Sequence, residues 1–213
     1  MEVLARAWQY AADYRGELAD ALGQHLLLVA VALGVGCLVC VPLGVLTSRS
    51  RVASATFINA FSAARVIPSL AILFLALPYF GLTRASALVA LTVLALPPIL
   101  INSDAAFRTI DPAVREAALG MGMTKRQVLR RVEIPLALPT VVAGIRTAAV
   151  EVISSATLAA FIGAGGLGVF IVRGFGLYDT AILLVGAVPV AMLAIVAELG
   201  LGAAQRALQP PIK

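Results

Sequence analysis

Three ionisable side chains, Arg65, Arg146 and Glu151, lie inside long apolar stretches. An ion held at mid-bilayer costs roughly 2.5–3.5 kcal/mol on insertion scales unless it faces protein or water, so such residues are candidates for lining a solute pathway. Glu151 has the charge to attract a cation. Arg146 and Glu151 are five residues apart, about 140° around a helix of 3.6 residues per turn, and do not face each other. An Arg65–Glu151 contact between two spans is therefore the expected pairing. Arg146 comes early in its span and either lines the pathway or snorkels to the nearer surface. Pro68 and Ser69 either shape a pathway bend or kink a packed helix.

Other reactive chemistry is thin. Neither of the two lysines follows a glycine, so the phosphate-cradling G-x-x-x-x-G-K-[ST] loop of an ATPase is missing. There is no nucleophile elbow and no H-E-x-x-H helix, and His25, the sole histidine, sits where an apolar run begins, which suits an interfacial anchor. Cys37 and Cys40 form a C-x-x-C in an uncharged run starting at Leu26. With no His, Asp or base to activate a thiolate or complete a metal site, packing is the expected role. No catalytic residue, cofactor or metal is expected on this chain.

These residues need a membrane to hold them. Of 213 residues, 61% are hydrophobic and 13% charged, against roughly 25% charged in soluble domains. A hydrocarbon core of about 30 Å takes about 20 apolar residues, which predicts an all-α integral membrane protein with five spans. They cover about 24–47, 52–79, 85–103, 136–162 and 180–202, the second interrupted by Arg65 and Ile67-Pro68. Residues 1–23 carry Glu2, Asp13, Glu17 and Asp20 and lack the basic start of a cleaved leader, so they are expected to remain as an extracytoplasmic segment. The membrane domain is expected over 24–205 and a cytoplasmic tail over 206–213. With the N-terminus outside, ten Lys and Arg fall in inside segments and four, Arg6, Arg15, Arg84 and Arg173, outside, as the positive-inside rule asks. The bases are scattered between spans rather than gathered on one face, which argues against nucleic acid despite a net charge of +5.

The same count puts the polar stretch 104–135 in the cytoplasm. It is too long for an inert connection. Asp111 can cap a helix with Pro112 at its first position, Ala113 to Leu119 propagate it, and Gly120 and Gly122 stop it. Thr124 with Gln127 reads as a capping box opening a second helix. That helix has Val128, Leu129 and Val132 on one face and Lys125, Arg126, Arg130 and Arg131 around the rest. Pattern alone allows two roles: docking a soluble partner, or lying amphipathically on anionic headgroups. Gly163, Gly165, Gly166 and Gly168 are expected to lead into an external re-entrant or interfacial segment, as a docking surface or a flexible loop. Phe170, Phe175 and Tyr178 are then expected at the outer interface.

Glu116-Ala117-Ala118-x-x-x-Gly122, followed after nine residues by Val132-x-Ile134-Pro135, resembles the E-A-A-x-x-x-G-x9-I-x-L-P loop of binding-protein-dependent ABC importer permeases. Val for Ile and Ile for Leu keep the branched apolar character. The likeness extends over about residues 20–205. Ala64-Arg65-Val66-Ile67-Pro68-Ser69-Leu70-Ala71, Gly144-Ile145-Arg146-Thr147 and Ala156-Thr157-Leu158-Ala159-Ala160-Phe161-Ile162-Gly163-Ala164-Gly165-Gly166-Leu167-Gly168 look like the glycine betaine, carnitine and choline permeases.

The resemblance implies a type I importer permease in the bacterial cytoplasmic (inner) membrane. It implies a coupling helix at Glu116, Ala117, Ala118, Gly120 and Gly122, completed by Val132, Ile134 and Pro135. The implied partners are two ATPase subunits that hold ATP and Mg, a second permease, identical or homologous, and an extracytoplasmic solute-binding protein that docks near the Gly163–Gly168 stretch. Methionine-type permeases share the five-span plan and parts of the loop, so an amino-acid solute stays open. Further rivals are an ion-coupled carrier, which needs internal repeats that are not evident here, and a scaffold that merely recruits a soluble partner.

Overall fold

A computed structural model describes residues 2–209. Residues 210–213 of the expected tail lie outside the described residues. The chain forms α1 (Glu2–Asp13), α2 (Arg15–Thr47), α3 (Arg51–Ala64), α4 (Ser69–Phe80), α5 (Arg84–Arg108), α6 (Pro112–Gly120), α7 (Lys125–Val128), α8 (Ile134–Ser155), α9 (Gly168–Gly176) and α10 (Thr180–Ala207). A π-helical turn, Leu129–Glu133, joins α7 to α8, and a 3-10 stretch, Ala156–Ile162, extends α8. There is no strand among the described residues, as expected where each backbone amide must find its partner within its own segment.

Helices α2, α5 and α10 and the continuous rod Lys125–Ile162 are each long and apolar enough to cross a bilayer. The second expected span, 52–79, is broken where the sequence interrupts it, and the break is a full corner between two helices. Helices α3 and α4 meet at 91°. Pro68 lacks an amide hydrogen and disfavours helix at Ile67. The chain closes α3 with tight bonds from the Arg65, Val66 and Ile67 amides to the Ser62, Ala63 and Ala64 carbonyls, and Pro68 caps a new helix. The first span is longer than read: α2 has 33 residues, about 50 Å at 1.5 Å each, and runs back to Arg15. Residues 2–13, expected only as an N-terminal segment, form α1, which packs mainly on α10.

α5 is the hub, packed by α2 on one side and α8 on another, with α3 and α4 against it. Small residues permit this close approach, the usual solution where lipid gives helices no hydrophobic reason to associate. A Cβ on Gly36 would meet Ile99 Cδ1 at 3.0 Å, and one on Gly44 would meet Ser103 Cβ at 2.4 Å. On the far side, a Cβ on Gly144 would fall 2.6 Å from Asn102 Cβ and 2.8 Å from the Pro98 carbonyl oxygen. Pro97 and Pro98 are fully buried in α5, and neighbouring carbonyls find side-chain donors: Asn102 Nδ2 donates to Pro98 O at 2.8 Å, and Cys40 Sγ lies 3.4 Å from Leu96 O. Cys37 and Cys40 are both free, the first half-buried, in keeping with the packing role. No cluster of potential metal ligands occurs among the described residues.

Overpacking a close helix contact costs about 1–3 kcal/mol. Gly144→Val is therefore expected to lower the melting temperature in detergent. Gly34→Ala, whose Cβ meets nothing within 4 Å, is expected to leave it unchanged or raised, as thermal unfolding of the purified variants will show.

Candidate functional site

One end of the bundle carries the 104–135 loop, and its local chemistry explains its shape. The Asp111 carboxylate accepts the Ala113 amide at 2.8 Å and Pro112 opens α6. The helix is closed by a paired cap in which Met123 N donates to Ala118 O at 3.2 Å and Gly122 N to Leu119 O at 2.9 Å. That geometry needs a left-handed residue, and Gly122 supplies φ +83°. Gly120 is the last helical residue rather than the stop. Thr124 and Gln127 form the expected capping box. The helix they open does not end at Pro135: it passes through the π-helical turn into α8, and Pro135 occupies the first turn of α8, where its missing N–H is tolerated.

The motif residues divide by face. Ala118 is buried, whereas Glu116, Ala117 and Gly120 are exposed beside Leu119 and Met121, the last at 76%. Val132 is half-buried, and Ile134 and Pro135 are exposed. An exposed, mixed apolar and acidic face on a short capped helix is suited to seating in another protein's groove.

The residue most firmly tied into this end is one that sequence reasoning passed over. Glu133 fills the open position of Val132-x-Ile134-Pro135, and its side chain is 3% exposed. Arg115 Nε of α6 donates to its Oε1 at 2.6 Å. Arg49, just beyond α2, donates Nη1 to Oε1 at 3.0 Å and Nη2 to Oε2. The bonds to Glu133 push the Arg49 guanidinium above its ordinary range. Arg115 also donates to the Phe107 carbonyl at the end of α5. A second buried carboxylate, Asp104, accepts Ser54 Oγ of α3 at 3.0 Å and the Arg108 guanidinium at 3.0 Å. A signal for Glu133 was present: it is the only acid between Glu116 and Glu151, inside a basic run.

Within the spans, Arg65 Nη2 stands 3.7 Å from Glu151 Oε2, with the two side chains 44% and 30% exposed. Ser69, the first residue of α4, is half-buried, and Pro68 is exposed. Arg146 does not join them. Its Nε lies 3.4 Å from Glu198 Oε1 and Nη1 donates to Gln205 Oε1 at 3.2 Å, both on α10, where Gly202 leaves room for the guanidinium.

At the end opposite the loop, the glycines serve the fold itself. Gly166 N donates to Gln24 Oε1 at 3.1 Å. A Cβ on Gly165 would fall 2.0 Å from that oxygen, and one on Gly168 would fall 2.0 Å from the Thr157 carbonyl oxygen. Only Gly163 of the four faces open space. His25, expected as an interfacial anchor, is instead fully buried, because the turn at Gly166 covers it. Its Nε2 donates to Ile153 O at 3.1 Å; a carbonyl only accepts, so Nε2 carries the proton. Phe170 is likewise corrected from the outer interface to the core, whereas Phe175 and Tyr178 are exposed. Arg173 is held by Tyr10 Oη and Glu17, each at 3.1 Å, and Arg6 binds Asp179 at 2.6 Å, so α1 is fastened to α9 and α10.

Residues 40–213 match the family of binding-protein-dependent transport system inner membrane components. Among curated proteins, the choline transport system permease protein OpuBB of Bacillus subtilis is 40% identical over 95% of this chain and 93% of its own length. The carnitine transport permease protein OpuCB of Listeria monocytogenes is 43% identical over 88% of this chain and 86% of its own. The osmoprotectant import permease protein OsmW of Salmonella typhimurium is 40% identical over 94% and 96%. Among solved structures, an inward-facing form of the MetNI methionine ABC transporter shares the fold with a TM-score of 0.80 over 92% of this chain and 98% of that one, at 24% identity.

A side chain other than glycine at a left-handed position costs about 1–2 kcal/mol. Gly122→Val is therefore expected to open the α6 cap and to speed hydrogen exchange at the Met123 amide by about 5–30-fold. Gly122→Asn is expected to give a smaller increase, measured by mass spectrometry in detergent.

Proposed function

The chain belongs to the family of binding-protein-dependent transport system inner membrane components and is the permease subunit of an ABC importer, and from that premise we propose that its solute is a quaternary-amine osmoprotectant: glycine betaine, carnitine, choline or a close analogue. The curated relatives carry such solutes by name and align with almost the whole of this chain, which supports the reading. The methionine transporter resembles it at the level of fold alone.

In this reading two ATPase subunits sit beneath the 104–135 loop in the cytoplasm and hold ATP and Mg. A second permease, identical or homologous, completes the pathway. A solute-binding protein docks at the opposite, extracytoplasmic end, where Gly163 and the exposed Phe175 and Tyr178 are available. The N-terminus is outside and the C-terminus inside, in the bacterial inner membrane, as the Lys and Arg bias favours. The observation that carries the mechanism is the exposed face of α6: Glu116, Ala117 and Gly120 are exposed while Ala118 on the other face is buried. Closure of the ATPases moves α6 and opens the pathway outward; hydrolysis resets it. Pathway candidates are Arg65, Pro68, Ser69 and Glu151. Arg146 is a weaker candidate because α10 already engages it.

Reconstitution with the ATPase and binding protein is the test. Uptake of glycine betaine, carnitine or choline is expected to require both ATP and the binding protein. Glu116→Lys, correctly inserted, is expected to lose ATPase attachment and at least about tenfold in uptake, as reversing one charge at a docked interface costs several kcal/mol. ATP-independent uptake would indicate a carrier, absence of uptake a scaffold, and full activity of Glu116→Lys would remove the coupling role.

A further inference from the structure

α6 is held to the membrane domain by little. It packs chiefly on α7 and the π-helical turn, the elements that follow it in the chain, and Ala118 is its only buried residue. Between α6 and the end of α2 lies a cleft of about 540 Å³, walled by Val45, Leu46, Leu119, Val128 and Leu129. Apolar packing therefore does not bridge the two helices. The polar bridge across the cleft is Arg115–Glu133–Arg49. Its central carboxylate is nearly inaccessible and satisfied by two guanidiniums from different elements, and the Arg115 hydrogen bond to Phe107 O adds the end of α5.

We propose that Glu133 is a positioning residue for transport: it locks the docking helix α6 to the ends of α2 and α8, so that displacement of α6 becomes displacement of the spans rather than bending of the loop. This rests on the coupling reading above and adds to it the residue through which force enters the bundle. The physical reason is stiffness. Charge-assisted hydrogen bonds with fixed fork geometry resist both shear and separation, whereas a loop joined only through Gly122 and a short helix gives way. The π-helical turn fits the same role, since it closes the rod at the residue that must present its carboxylate back toward α2 and α6. With Glu133 neutral, Arg49 and Arg115 lose their shared counter-charge while the outward face of α6 is untouched.

The readout is solute imported per ATP hydrolysed, in vesicles holding the complete complex with binding protein enclosed, using radiolabelled glycine betaine and phosphate release. Glu133→Gln is expected to bind the ATPase and keep binding-protein-stimulated hydrolysis, while the yield per ATP falls at least about tenfold, the loss expected when a charged hydrogen bond goes unmade. Arg115→Lys, which keeps charge without the fork, is expected to fall between. Glu2→Gln, a carboxylate removed from α1 at the other end of the molecule, is expected to leave the yield unchanged. A normal yield in Glu133→Gln overturns the proposal. So does loss of ATPase binding, or a fall in hydrolysis proportional to the fall in uptake, since Glu133 would then only maintain the fold. If Glu133→Gln fails to insert, Arg115→Lys decides by the same criterion. A wild-type chain that binds no ATPase overturns both this inference and the reading beneath it.

Discussion

Every polar group this chain carries into hydrocarbon has to bring its own partner. The backbone meets that demand by staying helical, and side chains meet it where the helix is interrupted. Beside the buried Pro97-Pro98 pair, Asn102 and Cys40 add donors to the Pro98 and Leu96 carbonyls, next to the turn that the prolines disturb. At Pro68 the interruption is larger, and the chain turns through 91° between two short helices. Close packing by glycine and alanine follows from the same scarcity, because helices surrounded by lipid gain their association from contact rather than from leaving water.

The charges obey this demand in a graded way. At the loop end, Glu133 and Asp104 are buried and fully bonded to guanidiniums and a hydroxyl, which fixes the ends of α2, α3, α5, α6 and α8 relative to one another. Removing one member of such a buried set is expensive because the remaining ion stays unpaired. At the opposite end the ion pairs Arg6–Asp179 and Arg173–Glu17 are more exposed; the first fastens α1 to the start of α10 and the second ties α9 to α2. The molecule thus has a stiff loop end and a more lightly pinned opposite end. That asymmetry suits a device driven from one side.

Much of this was legible in the sequence where local rules decide. Asp111-Pro112, the Thr124–Gln127 capping box and Gly122 are local devices, and the structure uses each as its chemistry requires. Four spans were visible in hydropathy for the same reason: the solvent acts on each segment separately. What was not legible depends on which segment lies against which. His25 and Phe170 sit beside apolar runs and read as surface anchors, but the Gly165-Gly166 turn returns to cover the first, and Tyr10 of α1 packs edge-on against the second. Glu133 went unread because its partners are 18 and 84 residues away. Arg65 and Glu151 were an exception. With Arg146 on the wrong face of its own helix, few partners remained for a mid-span charge, and elimination alone led to the contact.

That contact also bears on what a single chain can do. A 3.7 Å separation with side chains 44% and 30% exposed is a weak arrangement for ions at membrane depth, where full desolvation without tight pairing is costly. Arg146, by comparison, is engaged by two residues of α10. If lipid covered the Arg65–Glu151 face, selection of a closer pair or of uncharged residues would be expected on energetic grounds. A half-open pair is tolerable when the face looks onto water or onto another protein that restores polar surroundings. The broken span presents that face, and four to five spans from one chain do not close around it. The electrostatics of two side chains therefore argue that this face looks onto polar surroundings, water or protein, rather than onto lipid.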